Sequence, residues 1–134
     1  MRHKWSGLVA IWAAVGLLPS CGSSQRLLAI NITPAAIVFG TADPALFAQL
    51  TATGVYDHPP ANKDLTTQVT WASSVTLVAQ VTNAGKVMPN TDCGVSTVTA
   101  SLTTNAPTGN IVTGTMSVTV DGPAAPCPTT TPTP

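Results

Sequence analysis

Glutamate is missing from this chain altogether, and charge of either sign is sparse: five Lys and Arg against five Asp among 134 residues, or 7%. Beyond Cys21 the balance is Arg26, Lys63 and Lys86 against Asp43, Asp57, Asp64, Asp92 and Asp121. No clustered basic face can be drawn from three scattered cations, which excludes an electrostatic case for nucleic acid. Histidine is almost absent too. His58 is the only one after the first twenty residues, so the abundant serines and threonines have no persuasive general base. Cysteines number three, at 21, 93 and 127, without a CxxC and without a histidine cluster, which leaves no zinc pattern. Asp57, Asp64 and Asp92 are the oxygen ligands a calcium ion would have to use, and their spacing matches no calcium loop. No stretch carries a helical apolar stripe, and internal repeats are lacking. The sequence therefore points to no catalytic residue, no metal and no cofactor, and to a protein that is not an enzyme.

What is present begins at the start. Arg2, His3 and Lys4 form a basic segment, and Trp5 to Leu18 an apolar core of export-signal length. That core is short of the roughly 20 apolar residues of a membrane span. It meets Leu18-Pro19-Ser20-Cys21, and a leucine, two mostly small residues and a cysteine read as a bacterial lipoprotein signal. Pro19 is the imperfect position in that run. Cys21 is then the lipid attachment site, carrying acyl chains such as palmitate, and two or more chains make anchoring stable where one is marginal. The expected location is the bacterial cell envelope, facing periplasm or exterior, with the membrane as partner through the lipidated cysteine. Residues 1–20 are assigned to the signal peptide, 21–26 to a flexible spacer, 27–121 to one domain and 122–134 to a Pro/Thr-rich tail.

The domain segment has room for a modest core. Its patterning is period two, the signature of strands with one buried face. Leu28, Ile30 and Ile32 alternate with Ala29 and Asn31. Leu46, Ala48, Leu50 and Ala52 alternate with Phe47, Gln49, Thr51 and Thr53. Val98, Ala100 and Leu102 alternate with threonine and serine, as do Met116, Val118 and Val120. Turn clusters at 57–62, 82–85, 89–94 and 103–110 separate them. The expected fold is all-β, a sandwich of about seven strands with Greek-key connections.

These residues also carry a resemblance. Ile30-Asn31-Ile32-Thr33-Pro34, Gly40, and Leu50 to Tyr56 are followed by Asp64-Leu65-Thr66, Val69-Thr70-Trp71-Ala72-Ser73-Ser74, Ala79-Gln80-Val81 and Ala84-Gly85-Lys86-Val87. Gly94 and Thr97-Val98-Thr99-Ala100 complete the series. In order and spacing this is similar to the bacterial immunoglobulin-like group 2 domains, over nearly all of the chain after Cys21. The resemblance implies an immunoglobulin-like sandwich and a non-enzymatic surface module for adhesion, envelope structure, or contact with a protein or glycan ligand. The alternative is an accessory scaffold for an envelope enzyme or secretion complex. Trp71 shares the inward parity of Val69 and is expected to be the central core aromatic rather than a sugar-stacking platform. Gly85 is expected to supply a positive-φ turn.

Two departures stand out. Asp57 to Lys63, with Pro59 and Pro60, reads as a longer and stiffer loop than the family's usual tight turn. Cys93 and Cys127 are additions to a fold that resembles a cysteine-free one, and in an oxidising compartment they most simply form a disulfide.

Overall fold

The computed structural model describes residues 25–104 and 109–122, and all regular structure among them is strand. The segments are β1 (Arg26–Thr33), β2 (Ala36–Phe39), β3 (Ala48–Gln49), β4 (Thr51–Asp57), β5 (Ala61–Asp64), β6 (Thr70–Ser73), β7 (Ala79–Val81), β8 (Lys86–Pro89), β9 (Gly94–Thr103) and β10 (Ile111–Val120). They form a β-sandwich. One layer is a four-stranded sheet in the order β2-β10-β9-β6; the other combines β1-β4-β5 with β3-β8-β7. β3 and β4 are the two halves of one strand course, parted at Leu50, whose N–H turns aside to the Gly85 carbonyl at 2.8 Å. Ten segments therefore stand where about seven strands were expected, because single courses are broken and one hairpin was missed.

That hairpin is β4–β5. The segment 57–63 folds back over the turn His58-Pro59-Pro60, with Tyr56 paired to Ala61 and Thr53 to Asp64, so strand resumes at Ala61 inside the segment expected to be loop. His58 takes the positive φ of 46° in the turn, a conformation that costs a β-carbon residue local strain.

A second correction concerns β1. Leu28, expected inward with Ile30 and Ile32, is 51% exposed, and Leu27 is buried in its place. The register against β4 shifts between Leu27 and Ala29; an extra residue there flips the parity of everything before it. Pro34 has no N–H to give and ends the ladder. The chain then changes layers, and β2 runs parallel beside β10, with Val38 opposite Thr119.

Alternation governs β9 and β10. Val98, Ala100, Met116, Val118 and Val120 point inward and are buried, while Thr97, Thr115 and Ser117 point out. The four strands of this sheet contain no charged residue at all. The core joins these residues to Ile30, Ile32, Leu50, Ala52, Leu65, Trp71 and Val87 across the layers. Burial of this apolar set is the main favourable term holding the layers together.

Close approach of the layers is set by a glycine. A β-carbon on Gly114, at an inward position of β10, would lie 2.2 Å from the Ile30 carbonyl oxygen. β1 therefore rests its main chain directly on β10. Gly85 fulfils its expected role: φ is 74°, its N–H closes the β7–β8 turn on the Thr82 carbonyl at 2.9 Å, and Leu50 O sits where a side chain would go.

Candidate functional site

The register of the long strands gives the sandwich two distinct ends. β1, β2 and β10 run the same way, so Arg26 and Ile111 lie at one end and Phe39, Gly94 and Val120 at the other. Ten residues of β10 separate them, about 33 Å.

The chain enters at the first end, where Gln25 is already held. Its Nε2 donates to the Pro59 carbonyl at 3.0 Å and its Oε1 accepts from Lys63 Nζ. The Arg26 N–H donates to Asp57 Oδ1 at 3.0 Å, and Lys63 also lies 4.6 Å over the Tyr56 ring. Gln25 and Arg26 thus belong to the fold, which removes them from the spacer expected over 21–26. His58 Nδ1 is 3.2 Å from Asp57 Oδ2, with its ring largely in solvent.

Trp71 lies in the middle of the molecule. It is 6% exposed and its Nε1–H donates to the Thr66 carbonyl at 2.9 Å. The turn that accepts this bond is built locally: Thr66 N–H donates to Asp64 Oδ1 at 2.8 Å, and Thr66 Oγ1 accepts from the Ala52 N–H at 3.0 Å. Hydrogen bonds from Thr66, the side chain first and then the main chain, hold the Asp64 carboxyl below the usual aspartate range. Between the edges of β6 and β7 runs an open groove of about 450 Å³ lined by Trp71, Ala72, Ser73, Thr76, Gln80 and Val81. The indole is buried and its N–H is spent on its own chain.

Ser96 is the polar residue that the sequence did not single out. Buried on β9, it sits 2.8 Å from Ser73 Oγ and 3.3 Å from Ser74 Oγ, and accepts the Val75 N–H at 3.1 Å. Ser73 Oγ gives its one proton to the Ala79 carbonyl at 2.6 Å; Ser96 must then donate to Ser73, and Ser74 to Ser96. The chain of hydroxyls ties β6, β7 and β9 together and fixes the 74–78 loop at the second end. Only its inward parity on a Thr/Ser-rich strand could have flagged it.

The acids considered for calcium do not converge. Asp57 and Asp64 occupy different levels of the β4–β5 hairpin, and Asp92 lies at the other end, its N–H bonded to the Leu77 carbonyl. Among the described residues no group of three His, Cys, Asp or Glu could hold a metal.

Cys93 immediately precedes β9 and is engaged by a partner. Gly94 pairs with Val120, so β10 delivers the chain beside Cys93. Cys21, Cys127, the expected signal segment 1–20, residues 21–24 of the expected spacer and the residues from 123 onward lie outside the described residues. No family model and no curated protein matches this chain.

Proposed function

We propose that this chain is a non-enzymatic module of the bacterial cell envelope, an immunoglobulin-like sandwich held at the membrane by lipid on Cys21 and acting through surface contact with protein or glycan. The observation that carries the reading is the position of Gln25. Only Gly22, Ser23 and Ser24 separate Cys21 from a residue bonded to the fold, so the tether spans about 14 Å at full extension. A lipid at Cys21 would hold the first end of the sandwich against the bilayer and turn the second end away.

Cys93 and Cys127 form the disulfide in this proposal. The tail leaves β10 next to Cys93, and a few residues suffice to return Cys127 to it. Closing a loop of this size stabilises the fold by about 3 to 4 kcal/mol in the chain-entropy treatment. The immunoglobulin-like assignment draws its support from the burial of Trp71 and the positive-φ turn at Gly85.

Fractionation tests the proposal. Wild type is expected in the membrane fraction, and Cys21→Ser in the soluble export fraction or retained as precursor. Full lipid attachment in the serine variant would overturn the tether. Intact mass with and without reductant tests the disulfide, and two free thiols in the exported chain would reject it.

A further inference from the structure

Eight large apolar residues stand exposed among those described: Leu28, Val38, Leu46, Phe47, Val75, Leu77, Val95 and Ile111. Leu28 and Ile111 belong to the end where the chain enters. The other six gather at the opposite end. Val38 and Val95 flank Thr119 in register across β2, β10 and β9. Val75 donates its N–H to Ser96 on β9, and the Leu77 carbonyl accepts from Asp92 just ahead of that strand. Leu46 and Phe47 close the loop that returns from β2 to β3. Scattered exposed apolar residues need no explanation, whereas a concentration at one end marks an interaction site.

Charge at this end is mainly negative, three carboxylates against one ammonium. Asp43, Asp92 and Asp121 lie around the apolar residues; the nearest cation, Lys86, is set one level inward with its Nζ 4.1 Å over the Phe47 ring. At the entry end Arg26 and Lys63 stand with Asp57, so cations there are not outnumbered. The asymmetry selects among occupants. A second copy docking through the same end would bring like carboxylates together, and anionic lipid would be repelled. A glycan platform would present an exposed aromatic plane, and Phe47 is already capped by a cation. What fits is a protein surface with an apolar centre and a Lys/Arg rim.

We propose that the end formed by Val38, Val75, Leu77 and Val95, with Asp43, Asp92 and Asp121 at its margin, is the docking surface for a basic-rimmed apolar protein partner. The proposal rests on the contact-module reading and gives it a surface. The shared Ser96 hydrogen bonds hold the 74–78 loop against β9 in advance, so docking does not have to order it.

The test uses the full chain in its native cells, with a photo-crosslinking residue placed singly at Leu77, Val95, Leu28 or Ile111. Leu77 and Val95 are expected to yield a discrete adduct with one other protein, and Leu28 and Ile111 none. Asp92→Lys and, separately, Asp43→Lys, both at exposed positions, are expected to lower the adduct several-fold; the Asp43 variant also loses the Ala45 N–H bond to its carboxylate, so Asp43→Asn, which keeps an acceptor there, is its control. An adduct with the mass of two copies, one within the chain, one with lipid, or one indifferent to both charge reversals overturns the proposal. Adducts from the entry end alone overturn this surface and leave the contact module standing. Absence of adducts at all four positions removes both.

Discussion

Gly114→Ala tests how the two layers meet. The new methyl would sit 2.2 Å from the Ile30 carbonyl oxygen and 3.0 Å from its carbon. The obstruction is main chain, so no rotamer change relieves it; β1 must lift from β10 along the length over which both pack. Overpacking of this kind costs about 1 to 3 kcal/mol, and a backbone obstruction belongs at the upper end. Replacing glycine within a strand returns about 0.5 to 1 kcal/mol through the unfolded state, leaving a net loss of about 2 kcal/mol. For a domain of this size that lowers Tm by roughly 8 to 16 °C. Two companion variants make the comparison internal. In Gly54→Ala the nearest atom is the Leu65 Cδ1 at 2.4 Å, the end of a flexible side chain, and in Gly40→Ala nothing lies within 4 Å. The expected order of Tm in thermal unfolding is Gly40→Ala highest, Gly54→Ala between, Gly114→Ala lowest. A Gly114→Ala protein as stable as wild type would refute the direct seating of β1 on β10.

Trp71→Phe removes the indole hydrogen bond to Thr66 and is expected to cost about 1 to 3 kcal/mol. Trp71→Ala adds a cavity and is expected to cost about 3 to 5 kcal/mol; urea unfolding midpoints check both, and a neutral Trp71→Ala would deny the residue its place in the core. Ser96→Ala leaves Val75 N–H, Ser73 and Ser74 short of a shared partner, with an expected loss of about 1 to 3 kcal/mol and faster amide exchange across 74–78. Unchanged exchange there would show that the loop is held by other means. Asp64 is expected to titrate below the ordinary aspartate value of 3.8 in an NMR pH series, and Thr66→Val to raise it. A depressed carboxyl contributes stability that is present above its unfolded pKa and fades as pH falls through the folded one; a midpoint at or above 3.8 would contradict the Thr66 hydrogen bonds.

The strands of the long hairpin were legible because β9 and β10 are half-buried without interruption, so inward Val98, Ala100, Met116, Val118 and Val120 declare their period. Trp71 was legible for the same reason, two residues after Val69. Leu28 misled because the register shift before Ala29 inverts the parity, and no residue type marks it. The β5 hairpin was hidden by Pro59 and Pro60, which signal a turn without saying that strand resumes at Ala61. Tertiary features were the least accessible. The parallel pairing of β2 with β10 follows from a change of layer after Pro34, and Ser96 acquires its role from partners more than twenty residues away. The gathering of Val38, Leu77 and Val95 at one end exists only once β2, β9 and β10 are aligned, for in the sequence they are isolated apolar residues among threonines.

The central claim is that this sandwich is held at the envelope by lipid on the cysteine at position 21. Intact-mass analysis of the chain purified from native membranes tests it most directly. The account predicts a polypeptide beginning at Cys21, with the added mass of a lipid and acyl groups confined to that residue. An unlipidated chain, or one whose amino terminus lies elsewhere and which fractionates without membrane, would contradict it.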